Sequence, residues 1–154
     1  MYPDEFPNVV WMLGPLHIEK NLVEAIGNWM EGSGWCKIYN YSSISTSGRV
    51  ESSLYYSGVA GIKRSRYAHE VTLASLATLA EIDFDNSYDL DFKTWRSKLS
   101  NQSPTAKFWF SVMDMDKILF MFIRSLRESN FDLFRRSLEE IITWLRPKVT
   151  SIPK

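Results

Sequence analysis

Two acids inside an apolar run, and a histidine just beyond a Gly-Pro step, are the residues of this sequence best placed to do chemistry. Asp114 and Asp116 stand in FWFSVMDMDKILFMFI, and Asp116 directly follows Met115 of an apolar stripe. An isolated buried carboxylate is costly, so an acid in such a place is paired, protonated or bound to a metal. Three alternatives stay open here: a partner such as Lys117 or Arg124, a position facing water, or a metal-binding acid. His17 and Glu19 follow the apolar run that ends at Gly14-Pro15. The end of a buried strand is where α/β folds often gather functional groups. A lone histidine at a helix start is more often structural or solvent-facing, and a single glutamate two residues on does not complete a metal triad.

Three further groups invite a chemical reading. Asp83, Asp85, Ser87, Asp89 and Asp91 alternate through EIDFDNSYDLD in the manner of a calcium loop. Tyr88 and Thr94 occupy the positions where the EF-hand pattern needs glycine and glutamate, so a solvated acidic loop is the expectation. Lys63, Arg64 and Arg66 open a helix that also carries Tyr67 and His69, a pattern that can contact phosphates of a nucleic acid. Eighteen basic residues balance eighteen acidic ones, which favours a solvated helix face instead. Cys36 has only His17 and His69 available and no orienting motif, so neither a Cys-His nor a Ser-His-Asp set is argued.

The elements that position these groups are mostly helices. NVVWML, residues 8 to 13, reads as a short strand buried on both faces. After Pro15, Leu22, Ile26 and Trp29 fall at helical spacing with Ile18, Val23 and Met30 beside them, until GSG at 32 to 34 ends the helix. Short helices are expected at 35 to 40 and 48 to 57. Alanines and leucines mark a long helix from Arg64 to Ile82, and a short one runs from Asp91 to Leu99. Pro104 opens a largely apolar helix from Thr105 to about Arg127, with Phe108, Val112, Met115, Leu119, Phe122 and Leu126 in one stripe. Asn130 caps a final helix whose apolar positions are Phe131, Phe134, Leu138, Ile141, Ile142 and Leu145, ending at Pro147.

The expected fold class is mainly α, a bundle of about five to six helices with one short N-terminal strand. It divides into an extension and strand (1–15), a first helical part (16–83), the acidic loop with a short helix (84–104), a helical hairpin (105–146) and a tail (147–154). With 45% hydrophobic residues the chain has ample core material. Its most apolar stretch, ILFMFI, is far short of the roughly 20 residues a membrane span needs. No secretory start is visible and one cysteine forms no internal disulfide, so an intracellular protein, nuclear or cytoplasmic, without membrane contact is expected.

The order LGPLHIEKNLVEAIGNWMEGSGW, IKRSRYAHEVTLASL, FWFSVMDMDKILFMFIRSLRESNFDLF and LEEIITWL resembles the C-terminal half of a large group of uncharacterised, transposon-borne open reading frames of animal genomes. The resemblance extends from about Asp4 to Leu145. It rests on Gly-x-x-His after a strand, the Arg-x-Arg-x-x-His helix, and Phe-Ile-Arg-Ser-x-Arg-Glu. It implies a relative of transposases with a ribonuclease-H-like α/β core, in which acids hold two divalent metals, Mg²⁺ or Mn²⁺, at a phosphate. His17 stands at the family's histidine, Glu19 at an acid of the most similar members, and Asp116 at an acidic place in the late helix. Glu19 and Asp116 are thus the implied metal ligands, and Lys63, Arg64 and Arg66 the candidate nucleic-acid contacts.

The chain begins just before the strand leading to His17 and ends before the family's usual extension. The expectation is therefore a transposon-derived fragment without catalysis or cofactor of its own. A helical interaction module is the alternative, self-associating or bound to a protein partner through NVVWML or the 105 to 145 hairpin. A metal-dependent nuclease or polynucleotidyl transferase is the third reading.

Overall fold

The computed structural model describes residues 14–42, 61–89 and 91–145, and these form six helices with no strand among them. The sequence-expected strand at 8 to 13, the short helix at 48 to 57 and the tail lie outside the described residues.

Helix α1 is Pro15–Met30. Pro15 suits the first turn because its missing N–H has no helical partner there in any case. The Gly14 carbonyl starts the ladder by accepting from the His17 amide at 2.8 Å. Leu22, Val23, Ile26 and Met30 are buried, whereas Trp29 is 47% exposed and rests edge-on against Trp144. The buried face is therefore rotated away from the expected Trp29 and brings Glu19 inward. Gly32 and Gly34 adopt positive φ values of 73° and 85°, the left-handed conformation that lets the chain reverse at little steric cost. Helix α2, Trp35–Tyr41, follows at once and buries Trp35 and Tyr39.

Helix α3, Gly61–Asp85, is three residues longer at each end than its apolar pattern suggested. EIDFD is thus its last turn rather than loop, and the helix crosses the expected division at 83 and 84. Helix α4, Phe92–Gln102, is capped by Asp91, whose carboxylate accepts from the Thr94 amide and hydroxyl, both at 2.8 Å. Those bonds hold the Asp91 carboxyl below its ordinary range, led by the Thr94 amide. Asp89 meets Lys98 at 3.2 Å. Two acids of the supposed calcium series are therefore occupied in joining α3 to α4 and starting the latter.

Helix α5, Pro104–Arg127, has Ser103 as its cap and lies at the centre of the bundle, in contact with α1, α3, α4 and α6. This explains why its second half is apolar nearly all round: Val112, Leu119 and Phe122 are fully buried. Withdrawing each such side chain from water contributes roughly 1.5–3 kcal/mol before the entropy of ordering it. Helix α6, Phe131–Leu145, starts at Asn130, whose side chain accepts from the Leu133 amide at 2.9 Å. Its inner face runs through Phe134, Ser137 and Ile141, and Phe131, Ile142 and Leu145 point outward. A second, smaller core gathers Trp95, Phe110 and Met113 around Ala80. No described helix is long and apolar enough to cross a membrane.

Candidate functional site

Glu19 and Asp116 are both buried, and each is held by a cation or ring on α3. Glu19 lies one turn before Leu22 and Val23 on the inner face of α1, and it is 1% exposed. Arg66 reaches it with two parallel bonds, Nε to Oε1 at 2.6 Å and an Nη to Oε2 at 2.7 Å. Paired N–H groups facing both carboxylate oxygens make the strongest ordinary form of this contact. The Arg66 side chain stays 29% exposed, so one end of the pair touches water and the other is dry.

One turn further along α3, His69 Nδ1 stands 2.8 Å from Asp116 Oδ1 on α5, and both side chains are fully buried. Burial pushes the Asp116 carboxyl above its ordinary range, and the neighbouring imidazole opposes this only in part. Asp116 Oδ2 and His69 Nε2 have no hydrogen-bond partner among the described residues. The ring of Trp35 lies beside that of His69, with centroids 6.3 Å apart.

A second polar chain joins α2 to the same stretch of α3. The indole N–H of Trp35 donates to Thr72 Oγ1 at 2.8 Å, and Thr72 donates in turn to the Ala68 carbonyl at 2.8 Å. The Tyr39 hydroxyl donates to that carbonyl as well. Burial raises the Tyr39 phenol above its usual range, with the Thr72 contact opposing it and the Asp116 charge adding to it. Three consecutive turns of α3 therefore fasten α1, α5 and α2 in sequence, through Arg66, His69 and Thr72.

The remaining candidates are not gathered at this place. His17 is exposed, because positions two apart on a helix face nearly opposite sides and Glu19 takes the inward one. Lys63 and Arg64 are exposed, whereas Arg66 is turned inward to Glu19. Asp114 is half-buried and meets Arg96 of α4 at 2.6 Å, and that guanidinium also lies 4.8 Å from the Phe110 ring centre. Neither Lys117 nor Arg124 serves the two acids; Arg124 bonds Glu128 along its own helix.

The chemical capacity of this arrangement follows from what each atom already does. Both Glu19 oxygens accept from Arg66 and one Asp116 oxygen faces His69, so they do not form the shared donor set a two-metal centre needs. No group of three His, Cys, Asp or Glu side chains among the described residues could hold a metal ion. Ser65 precedes His69 by one turn, which brings serine, histidine and aspartate together. Yet the Ser65 hydroxyl is fully buried and makes no hydrogen bond among the described residues, so it has no nucleophile-to-base contact there.

Sequence reasoning isolated Glu19 and Asp116 but missed their partners. Arg66 and His69 are three residues apart, which places them on one face of a helix, and that spacing was the available signal. The fold and site define a mainly helical bundle coupled through ionisable pairs. No model of a known protein family, no curated protein and no solved structure matches the chain.

Proposed function

We infer that this chain is a transposon-derived, transposase-related helical unit without catalysis of its own, in which Glu19 and Asp116 couple helices instead of holding metal. The observation that carries this reading is the double engagement of the acids: Arg66 closes on both oxygens of Glu19, and His69 meets Asp116 in a dry contact. The transposase kinship rests on the sequence resemblance, as does descent from a larger ribonuclease-H-like α/β protein. In that ancestry the late-helix acid would serve a metal; here the imidazole occupies its place.

A coupling role also fits the energetics of buried ion pairs. Such pairs are often no more stabilising than apolar residues of similar volume, but leaving one partner alone is costly. Mispairing of α3 against α1 or α5 by one turn would strand Glu19 or Asp116, so the pairs select a register. Isothermal titration of the purified chain with Mg²⁺ and Mn²⁺, beside Asp116→Asn, tests the reading. The expected result is no specific heat for either protein. Binding to the parent chain that disappears in Asp116→Asn would overturn the reading in favour of a metal-dependent nuclease or transferase.

A further inference from the structure

Apart from Val71, which packs against the main core, the outer face of α3 has no partner among the described residues, and its composition is ordered along its length. Arg64, Tyr67, Val71, Ala74, Ser75, Thr78, Ile82 and Asp85 recur every three or four residues and so form one stripe. All are exposed except Val71, which is half-buried; Tyr67 is 58% and Ile82 54% exposed. The stripe is positive at one end, negative at the other, and uncharged between. VTLASLATLA, residues 71 to 80, contains no charged side chain, although five of its ten residues are exposed. An ordinary solvated helix face interleaves charges through its middle.

We propose that α3 pairs with α3 of a second copy in an antiparallel, two-fold arrangement centred between Ala74 and Ser75. A two-fold axis there places each residue against the one whose number brings the sum to that of Arg64 and Asp85. Arg64 then faces Asp85, Tyr67 faces Ile82, Val71 faces Thr78, and Ala74 faces Ser75, each pairing occurring twice as an isologous interface requires. Opposite charges meet at both ends, and aromatic and aliphatic side chains meet one turn in. The smallest residues lie at the axis, where two helices approach most closely. A parallel pairing would instead set Arg64 against Arg64 and Asp85 against Asp85, so the charge order selects the antiparallel one.

A groove of about 310 Å³ borders the stripe on its α2 side, lined by Ile38, Tyr39, Val71, Leu76, Leu79 and Trp109 among others. Ile38 and Leu79 on its rims are 56% and 63% exposed, which widens the apolar area available to the partner. This surface differs from the two the sequence offered: NVVWML lies outside the described residues, and on the 105 to 145 hairpin the apolar stripe of α5 is covered by its own neighbours while Phe131, Ile142 and Leu145 of α6 stay exposed. The pairing does not depend on transposase kinship or on the state of any metal.

Sedimentation equilibrium of the full chain from micromolar to near-millimolar concentration, with Arg64→Asp and Asp85→Arg chains alone and mixed, tests the proposal. The parent chain is expected to pass from monomer to dimer. Each single variant sets like charges together at both ends and should weaken the dimer by roughly tenfold. The two variants mixed restore both ion pairs in a heterodimer and should associate as the parent does. Ala74→Arg places two guanidinium groups at the axis and should weaken association by roughly a hundredfold. Circular dichroism confirms that each variant is folded, which exposed positions favour. A parent chain that stays monomeric throughout overturns the proposal, as does a dimer indifferent to Ala74→Arg or to the charge exchange.

Discussion

The two couplings on α3 are one helical turn apart and solve the same problem differently. At Arg66, a permanent cation with access to water closes on a buried carboxylate through two bonds. At His69, a ring that can be neutral meets a carboxyl in a fully dry place, and one polar atom on each side has no partner among the described residues. The first pair is strongly polarised in its consequences: removing the arginine strands a charge, whereas removing the glutamate leaves a guanidinium that already reaches solvent. The second is more nearly even, because burial already raises the Asp116 carboxyl and its partner is not a permanent cation.

The largest expected effect separates the two partners of the first pair. Arg66→Ala should cost about 3–5 kcal/mol of unfolding free energy, the range for a buried charge left without its counter-charge. Glu19→Ala should cost only about 1–2 kcal/mol, since the guanidinium can turn to water. Urea unfolding of the two variants measures the difference, and equal losses would mean that the two partners of the pair are equivalent.

Next in size come His69→Ala and Asp116→Ala, each expected to lose about 2–3 kcal/mol through a cavity and an unpaired polar group. Replacing both by leucine should return stability to within about 1 kcal/mol of the parent, because a well-packed apolar pair is close to neutral against a buried polar one. A double-mutant cycle over the parent, the two alanine variants and the doubly alanine-substituted chain gives the coupling directly. A double variant as unstable as the sum of the single ones would mean that the two residues do not act together.

The smallest effect is in pH dependence. Asp116 has a raised carboxyl in the folded chain, so between its ordinary value of 3.8 and its folded value the native state binds more protons than the unfolded one. Stability should therefore fall as pH rises through that window, and Asp116→Asn should flatten this part of the curve. Asp91 acts oppositely, being lowered by its capping bonds: its contribution is present above the ordinary carboxylate value and is lost as pH falls through the folded one. Thermal unfolding across pH for the parent and Asp116→Asn checks the sign.

Much of the helical architecture was legible in the sequence because it follows from local rules. Pro15 and Pro104 open helices where their missing amides matter least, Asn130 and Asp91 cap helices with their side chains, and Gly32 and Gly34 permit the reversal after α1. The rotation of α1 was not legible, because Trp29 and Ile26 satisfy the same periodicity, and it takes the folded chain to set Trp29 at the rim against Phe108 and Trp144. The C-terminal extension of α3 was hidden by charged residues that a helix accepts once Ala80 and Phe84 have packed against Trp95. At the site, a stripe pattern identifies an acid that faces inward but not what it meets, since the partner comes from another helix 47 positions away for both Glu19 and Asp116.

The most direct test of the structural role given to Asp116 is urea unfolding of the parent chain and Asp116→Asn, each with and without Mn²⁺. A ligand that binds only the native state stabilises it by an amount that grows with the logarithm of its excess over the dissociation constant. Asp116→Asn should lower stability by the same amount in both conditions, and Mn²⁺ should leave the parent unchanged. Stabilisation of the parent by Mn²⁺, absent in Asp116→Asn, would contradict that structural role and make the carboxylate a metal ligand.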